Sequence, residues 1–248
     1  LKVFCIIPAR YGSKRLPGKP LVKILDKPLI QWVFERARKS SEIDRIFIAT
    51  DDERIFKECK RFGAEVFMTP SDLESGSDRV FWVCKNLLKE KSDYILNLQG
   101  DEPLISPSDI NFLIKKTKEK MCEVSTLGYL ISDKKLFKDE NIVKIVCDKE
   151  GKAIYFSRSP IPHLRGKKNF KFLKHIGVYL YRRDILELFH SLPCAELEDK
   201  ESLEQLRLIE HGIPVWVFTS KNDTYPVDTE QDIKEVEDFL KTQKHRQS

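Results

Sequence analysis

An α/β fold, with a mostly parallel central sheet flanked by helices, is the architecture this chain of 248 residues predicts. Three observations carry that expectation. The chain opens on an apolar run, Val3 to Ile7, rich in β-branched and aromatic residues and stopped by Pro8, as a strand buried on both faces requires. Arg45 to Thr50 and Ala64 to Met68 are further such runs with helical periodicity between them, and a βαβαβ order favours parallel pairing. A fourth run, Asp93 to Leu98, leads straight into Gln99-Gly100-Asp101-Glu102-Pro103, and ligands of open α/β sheets gather at such strand ends.

The intervening segments follow in order. Leu29 to Ala37 has helical spacing, with Pro28 suited to a first turn. Asp51-Asp52 is placed to cap a helix from Glu53 to Phe62, which Gly63 closes. Ser75-Gly76-Ser77-Asp78-Arg79 precedes an apolar helix, Val80 to Leu88, and Pro107 to Lys120 reads as a helix before a strand from Cys122 to Ile131.

The pattern then changes. Asn141 to Cys147 and Ala153 to Phe156 read as strands joined around Gly151, Ser157 to Pro162 is irregular, and a basic stretch through Lys174 precedes a strand from His175 to Tyr181. This middle third is expected to be antiparallel. Arg183 to Ser191 is helical. Glu201 to His211 is an amphipathic helix stopped by Gly212, with Leu203, Leu206 and Ile209 inward and Glu204 and Gln205 off that stripe. Pro214 to Thr219 is a strand, Tyr225 to Thr229 a turn and Glu230 to Leu240 a closing helix, with Lys241 to Ser248 expected to fray.

Composition narrows the function classes. Hydrophobic residues at 41% and charged ones at 33% describe a soluble globular protein, and no apolar run approaches the roughly 20 residues of a membrane span. A cytoplasmic location without membrane insertion is the expectation. The net charge of +5 is dispersed, whereas nucleic-acid binders concentrate theirs in a stripe or arm, so small anions are the expected partners. Six cysteines lie scattered with no C-x-x-C pair, which fits reduced core thiols and not a zinc site.

Chemistry concentrates after the first strand. Arg10, Lys14, Arg15 and Lys19 stand among Gly12, Ser13, Pro17 and Gly18, and cations with closely approachable backbone amides suit a polyphosphate. The order matches neither G-x-x-x-x-G-K-[ST] nor G-x-G-x-x-G. The Ser75 to Arg79 turn has two readings, an ordinary cap with Asp78 on first-turn donors, or free N–H groups meeting a base or ribose. Asp101 likewise is either a turn residue bonding its own backbone or a ligand for a divalent cation beside phosphate.

Six segments together resemble a known family. Ile7 to Leu21, Asn97 to Pro103 and Val227-Asp228-Thr229 resemble nucleotidyltransferases that activate acidic sugars with CTP. Tyr155-Phe156-Ser157-Arg158, Lys174 to Tyr179 and Glu201 to Arg207 look specifically like the 3-deoxy-manno-octulosonate (Kdo) cytidylyltransferases. The resemblance extends over essentially the whole chain. It implies a Rossmann-like nucleotidyltransferase fold, with 1–248 as a single domain and approximately 123–195 as a smaller mixed α+β lobe that covers substrate and dimerises. It also implies a homodimer, Mg2+, and conversion of CTP and Kdo to CMP-Kdo and pyrophosphate for lipopolysaccharide biosynthesis.

Site residues follow from the same resemblance. Pro8, Ala9, Arg10, Arg15, Lys19, Ser77, Asp78 and Arg79 are expected at CTP, with Lys19 near the charge that develops during in-line displacement. Asp101 and Asp228 are expected to hold the metal. Gln99, Arg158, Arg165, His175, Glu204 and Gln205 are expected at Kdo, with Arg158 the natural bidentate partner of its carboxylate. His175 is otherwise a satisfied strand histidine, and Glu204 and Gln205 are otherwise helix-surface residues. A cytidylyltransferase for another acid, such as sialic acid, and a silent CTP-binding module are the competing readings. Arg158, His175, Glu204 and Gln205 favour Kdo over the first, and the two aspartates favour an enzyme over the second.

Overall fold

The structure, a computed structural model, describes residues 1–13, 15–166 and 170–245. It divides into two compact units, one formed by 1–111 with 224–248 and the other by 112–223.

The first unit is a parallel sheet with helices. Its strands are β1 (Val3–Ala9), two short strands, β2 (Lys23–Ile24) and β3 (Lys27–Pro28), that make their own hairpin, then β4 (Arg45–Thr50), β5 (Glu65–Met68) and β6 (Tyr94–Leu98). β1 pairs in parallel with β4 on one side and β6 on the other, and β5 adds beyond β4, giving the order β6-β1-β4-β5. All seven residues of β1 are buried, which is why it reads as a continuous apolar run and not an alternating one. Strand order reverses direction at β1, so the crevice at the carboxyl ends of β1 and β6 is where such a sheet takes ligands.

Local signals explain the helices. Between β3 and β4, α1 (Leu29–Arg38) turns Leu29, Ile30, Val33, Phe34 and Ala37 inward. Asp52 caps α2 (Glu53–Arg61) by accepting from the N–H groups of Arg54 at 2.9 Å and Ile55 at 3.4 Å. The next helix, α3 (Gly76–Asn86), starts earlier than the Val80 expected from apolar spacing, because Ser75 and Asp78 form a reciprocal capping box that nucleates its first turn. α4 (Pro107–Lys120) follows as predicted.

The second unit is built on β7 (Val124–Ile131), followed by a short helix α5 (Lys134–Lys138), β8 (Lys144–Cys147), β9 (Ala153–Ser157) and the long β10 (Phe172–Arg182). β10 pairs antiparallel with β7 and with β8, and β8 pairs antiparallel with β9, as the middle third predicted. After α6 (Arg183–Ser191), α7 (Glu196–Glu201) and α8 (Gln205–Glu210), β11 (Val215–Ser220) joins β7 in parallel. The lobe expected at approximately 123–195 falls inside this unit. The single helix expected from Glu201 to His211 is corrected to two, because Ser202 adopts a left-handed φ of 51° that ends α7. The register of the inner face moves accordingly, and Gln205, expected on the surface stripe, is buried.

α9 (Glu230–His245) closes the chain in the first unit, so Lys241 to His245 continue a helix where fraying was expected. Its Val236 and Leu240 pack with Leu16, Ile24, Leu29, Leu104 and Val227 in one apolar cluster. That cluster seats the cationic opening loop and the Val227-Asp228 turn against each other.

Close approach of β1 and the Gly100 turn sets a strict steric limit. A Cβ on Gly100 would stand 2.7 Å from the carbonyl oxygen of Pro8, a backbone atom that cannot swing away. Gly100→Ala is therefore expected to destabilise the protein by about 1–3 kcal/mol, the usual cost of forcing extra volume into a packed site. Urea unfolding measures it as a lower midpoint with an unchanged slope.

Candidate active site

In the first unit, three segments distant in sequence meet at one ammonium. After β1, the chain turns through a loop in which Tyr11 accepts at its carbonyl from the N–H groups of Ser13 at 2.9 Å and Gly18 at 3.0 Å. Gly18 has a φ of 69° that glycine adopts without strain, and it starts a one-turn 3-10 helix, Lys19–Leu21. Lys19 Nζ then donates to Asp101 Oδ2 at 2.7 Å and to Asp228 Oδ1 at 3.0 Å. Arg15 reaches the other Asp228 oxygen at 2.8 Å. Asp228 arrives there because the Val227 N–H donates to the Asp101 carbonyl at 2.9 Å, while Asp232 accepts from the N–H groups of Asp228 and Thr229.

Burial opposes the Lys19 charge, but Asp101 and Asp228 outweigh it and hold its pKa above the ordinary lysine value. Two carboxylate oxygens converging on a single cationic point also fit a divalent, oxygen-preferring cation. Among the described residues no group of three or more His, Cys, Asp or Glu could hold a metal by itself. One or two carboxylates completed by substrate phosphates is the usual arrangement for such an ion in phosphoryl-transfer sites.

The neighbouring β6 end forms a second network. Asn97, 1% exposed, donates to Ser77 Oγ at 3.3 Å and accepts from Gln99 Nε2 at 2.9 Å. Ser77 sits in the first turn of α3, so Asn97 fixes it relative to Gln99. Pro8 and Ala9 are buried at the end of β1, and Arg10 is exposed beyond them, donating to the Glu74 carbonyl at 3.1 Å. Asp78 takes the cap role, receiving from the Ser75 N–H and hydroxyl.

Arg79 is 1% exposed and has three protein partners: Asp51 Oδ2 at 2.9 Å, the Pro70 carbonyl at 3.2 Å and the Thr69 hydroxyl. Burial lowers its pKa against the pull of Asp51. Its guanidinium thus ties the loop ahead of α3 to the ends of β4 and β5.

The second unit carries the other expected site residues. Arg158 follows β9, and its guanidinium donates to the carbonyls of Glu201 at 2.8 Å, Glu140 at 3.2 Å and Ser202 at 3.4 Å. His175 lies on β10 with its ring against Phe156 at 5.5 Å and Tyr179 at 5.3 Å, and Nε2 is 3.4 Å from Thr126 Oγ1. Desolvation lowers its pKa to about 3, so the imidazole is neutral at physiological pH. Gln205 is 6% exposed, and its Nε2 has no hydrogen-bond partner among the described residues; the same holds for the hydroxyl of Tyr179. Glu204, at the start of α8, is close enough to raise the pKa of Tyr179 and Tyr181, in both cases after burial as the larger cause. Arg165 is exposed in a turn, and Lys14 lies outside the described residues.

His175 and Tyr179 therefore stand ring to ring on β10, and Glu204 lies near enough to act on Tyr179. Sequence reasoning missed Tyr179, which reads as one more aromatic residue of a strand; its spacing of four from His175 gave no signal.

A family model described as cytidylyltransferase matches residues 4–222. A 3-deoxy-manno-octulosonate cytidylyltransferase of Thermodesulfovibrio yellowstonii is 46% identical, over 96% of this chain and 98% of its own. An 8-amino-3,8-dideoxy-manno-octulosonate cytidylyltransferase of Shewanella amazonensis is 44% identical, over 97% and 99%. A solved structure of a CMP:2-keto-3-deoxy-manno-octonic acid synthetase complexed with CTP superposes with a TM-score of 0.91 at 41% identity, covering 98% of this chain and all of that one.

Two outcomes follow from the geometry. Asp51→Ala leaves a buried guanidinium without its counter-ion and is expected to destabilise by about 3 kcal/mol in chemical denaturation. The folded pKa of His175 lies below the roughly 6.5 of a free imidazole, so the unfolded chain takes up that proton first. Its contribution to stability is full above about pH 6.5 and declines as pH falls toward 3. His175→Gln is therefore expected to reduce the fall in Tm between pH 7 and pH 5, and an unaltered fall would contradict a neutral, desolvated ring.

Proposed function

The chain belongs to the cytidylyltransferase family, and from that premise we propose that it activates Kdo with CTP, giving CMP-Kdo and pyrophosphate for lipopolysaccharide biosynthesis. The observation that carries the reading is the convergence of Lys19, Arg15, Asp101 and Asp228 at the carboxyl ends of β1 and β6.

The reaction sets an electrostatic problem. The C2 hydroxyl of Kdo must attack the α-phosphorus of CTP, which brings the sugar carboxylate near an anionic triphosphate. Two unit charges about 4 Å apart repel by about 4 kcal/mol at an effective dielectric near 20, roughly a thousandfold in rate. Arg10, Arg15 and Lys19 supply positive charge to the triphosphate, and Lys19 stands where charge develops in the in-line displacement. Asp101 and Asp228 are suited to hold Mg2+, which when bound acidifies a coordinated hydroxyl and offsets charge on phosphate oxygens. Pro8, Ala9, Ser77, Asp78 and Arg79 shape the nucleoside side, with Ser77 in direct reach and Arg79 acting through the loop it anchors.

For Kdo, Arg158 is the carboxylate partner. Of five guanidinium donors, three engage carbonyls of the protein, which leaves one on each terminal nitrogen. Gln99, Arg165, neutral His175, Glu204 and Gln205 complete the sugar contacts, and Tyr179 joins them through its unpartnered hydroxyl. The Shewanella relative gives one specific reason for a second reading, in which the 8-amino sugar replaces Kdo. The same reading includes a cytoplasmic homodimer; no helix among the described residues is long and apolar enough to cross a membrane.

Pyrophosphate release from CTP and Mg2+ tests the proposal, with Kdo, its 8-amino analogue, sialic acid or no acid. Kdo-dependent release is expected, falling about a hundredfold or more in Asp101→Asn, as for loss of one preorganised charged group. Preference for the 8-amino sugar would move the substrate assignment, and no release with any acid would sink the enzyme reading.

A further inference from the structure

Both backbone polar groups of one residue in the second unit, Arg158, are held by charged side chains. The Arg158 N–H donates to Glu201 Oε2 at 2.9 Å, and the Arg158 carbonyl accepts from Lys144 Nζ. Lys144 is fully buried and also donates to the carbonyls of Asp139 at 2.9 Å and Ile142 at 2.6 Å. The other Glu201 oxygen accepts from the Ser157 hydroxyl at 2.6 Å and the Tyr155 hydroxyl at 3.5 Å. β9 pairs only with β8 among the described strands, so its end is not fixed by ladders on both sides. The charged pair supplies what the sheet does not.

Glu201 acts in the opposite direction as well. Its backbone carbonyl receives Arg158 Nε at 2.8 Å, and the next carbonyl, of Ser202, receives a terminal nitrogen. Glu201 ends α7, the left-handed Ser202 follows, and α8 then begins with Glu204 and Gln205. One residue therefore locks the Arg158 backbone through its side chain and the Arg158 side chain through its backbone, at the turn that presents Glu204 and Gln205.

We propose that Glu201 is a positioning residue for acceptor binding, with Lys144 as its opposing clamp: it sets the aim of the Arg158 guanidinium and joins it rigidly to Glu204 and Gln205. The inference rests on the reading of Arg158 as the partner of the sugar carboxylate. It predicts a selective defect, in the acid and not in CTP, because every bond named here lies within the second unit.

Glu201→Ala, Glu201→Gln, Arg158→Ala and the Glu201→Ala/Arg158→Ala double variant are compared with the wild type by steady-state pyrophosphate release, with CTP affinity measured by calorimetry. Glu201→Ala is expected to raise KM for Kdo about 10–100-fold, the range for loss of a group that orients a ligand, while CTP affinity stays unchanged. Glu201→Gln falls between, since its carbonyl oxygen can keep the Arg158 N–H while the Ser157 hydroxyl turns to accept from the amide. In the Arg158→Ala background, Glu201→Ala adds little, because the effect passes through Arg158. An unchanged acid KM, equal losses for both substrates, or full additivity in the double variant would overturn the role. If Glu201→Ala does not fold, the same comparisons on Glu201→Gln decide. Absence of turnover in the wild type with every acid would instead refute the functional reading itself.

Discussion

Two aspartates that share one lysine set the constraint on which the first unit depends. Asp101 and Asp228 are separated by just over half the chain, and like charges at that proximity would repel without Lys19 between them and Arg15 on the outer oxygen. The arrangement requires the opening loop, the β6 end and the turn before α9 to be placed together. The Val227 to Asp101 backbone bond and the apolar cluster of Leu16, Leu104, Val227 and Val236 do that placing. The two cations and two carboxylates sum to zero. Lys19 and Arg15 are thus already partnered, and an anion proposed to bind here has to exchange with those carboxylates.

Around that centre the protein uses charge for aim as often as for contact. Arg79 has the sequence position of a ligand contact, yet its guanidinium faces Asp51, Thr69 and Pro70. Its bonds hold the segment that leads into the Ser75-Gly76-Ser77 turn. Asn97 works likewise between Ser77 and Gln99, and Glu201 between Arg158 and the start of α8. Burying such groups costs solvation, and hydrogen bonds to protein partners offset that cost. Rigid supports of this kind let substrate-facing groups keep donors in reserve.

What the sequence made legible divides along the line between local and non-local physics. β1, β4 and β6 were readable because burial on both faces leaves a continuous apolar run, and the Asp52 cap because it lies next to the helix it caps. The cationic loop and the Asp101 turn were readable as chemistry, since glycines and cations gather at a strand end. Ser202 was not: its neighbours have good helical spacing, and only a left-handed φ, imposed by packing, splits the segment and carries Gln205 inside. Lys144 and Glu201 were equally silent, because the groups they bond lie in other segments that the sequence does not connect to them.

For the proposed sugar acid, the second unit divides charge and neutral polarity between different residues. His175 is held neutral by desolvation, so it offers a hydrogen bond without adding charge, while Gln205 Nε2 is a buried donor with no partner among the described residues. Positive charge in the same unit comes instead from Arg158, whose guanidinium is anchored by backbone carbonyls and cannot collapse onto Glu204. Separating the two tasks matters: a carboxylate needs a fixed cation, whereas hydroxyl groups need directional neutral partners whose protonation does not drift with pH.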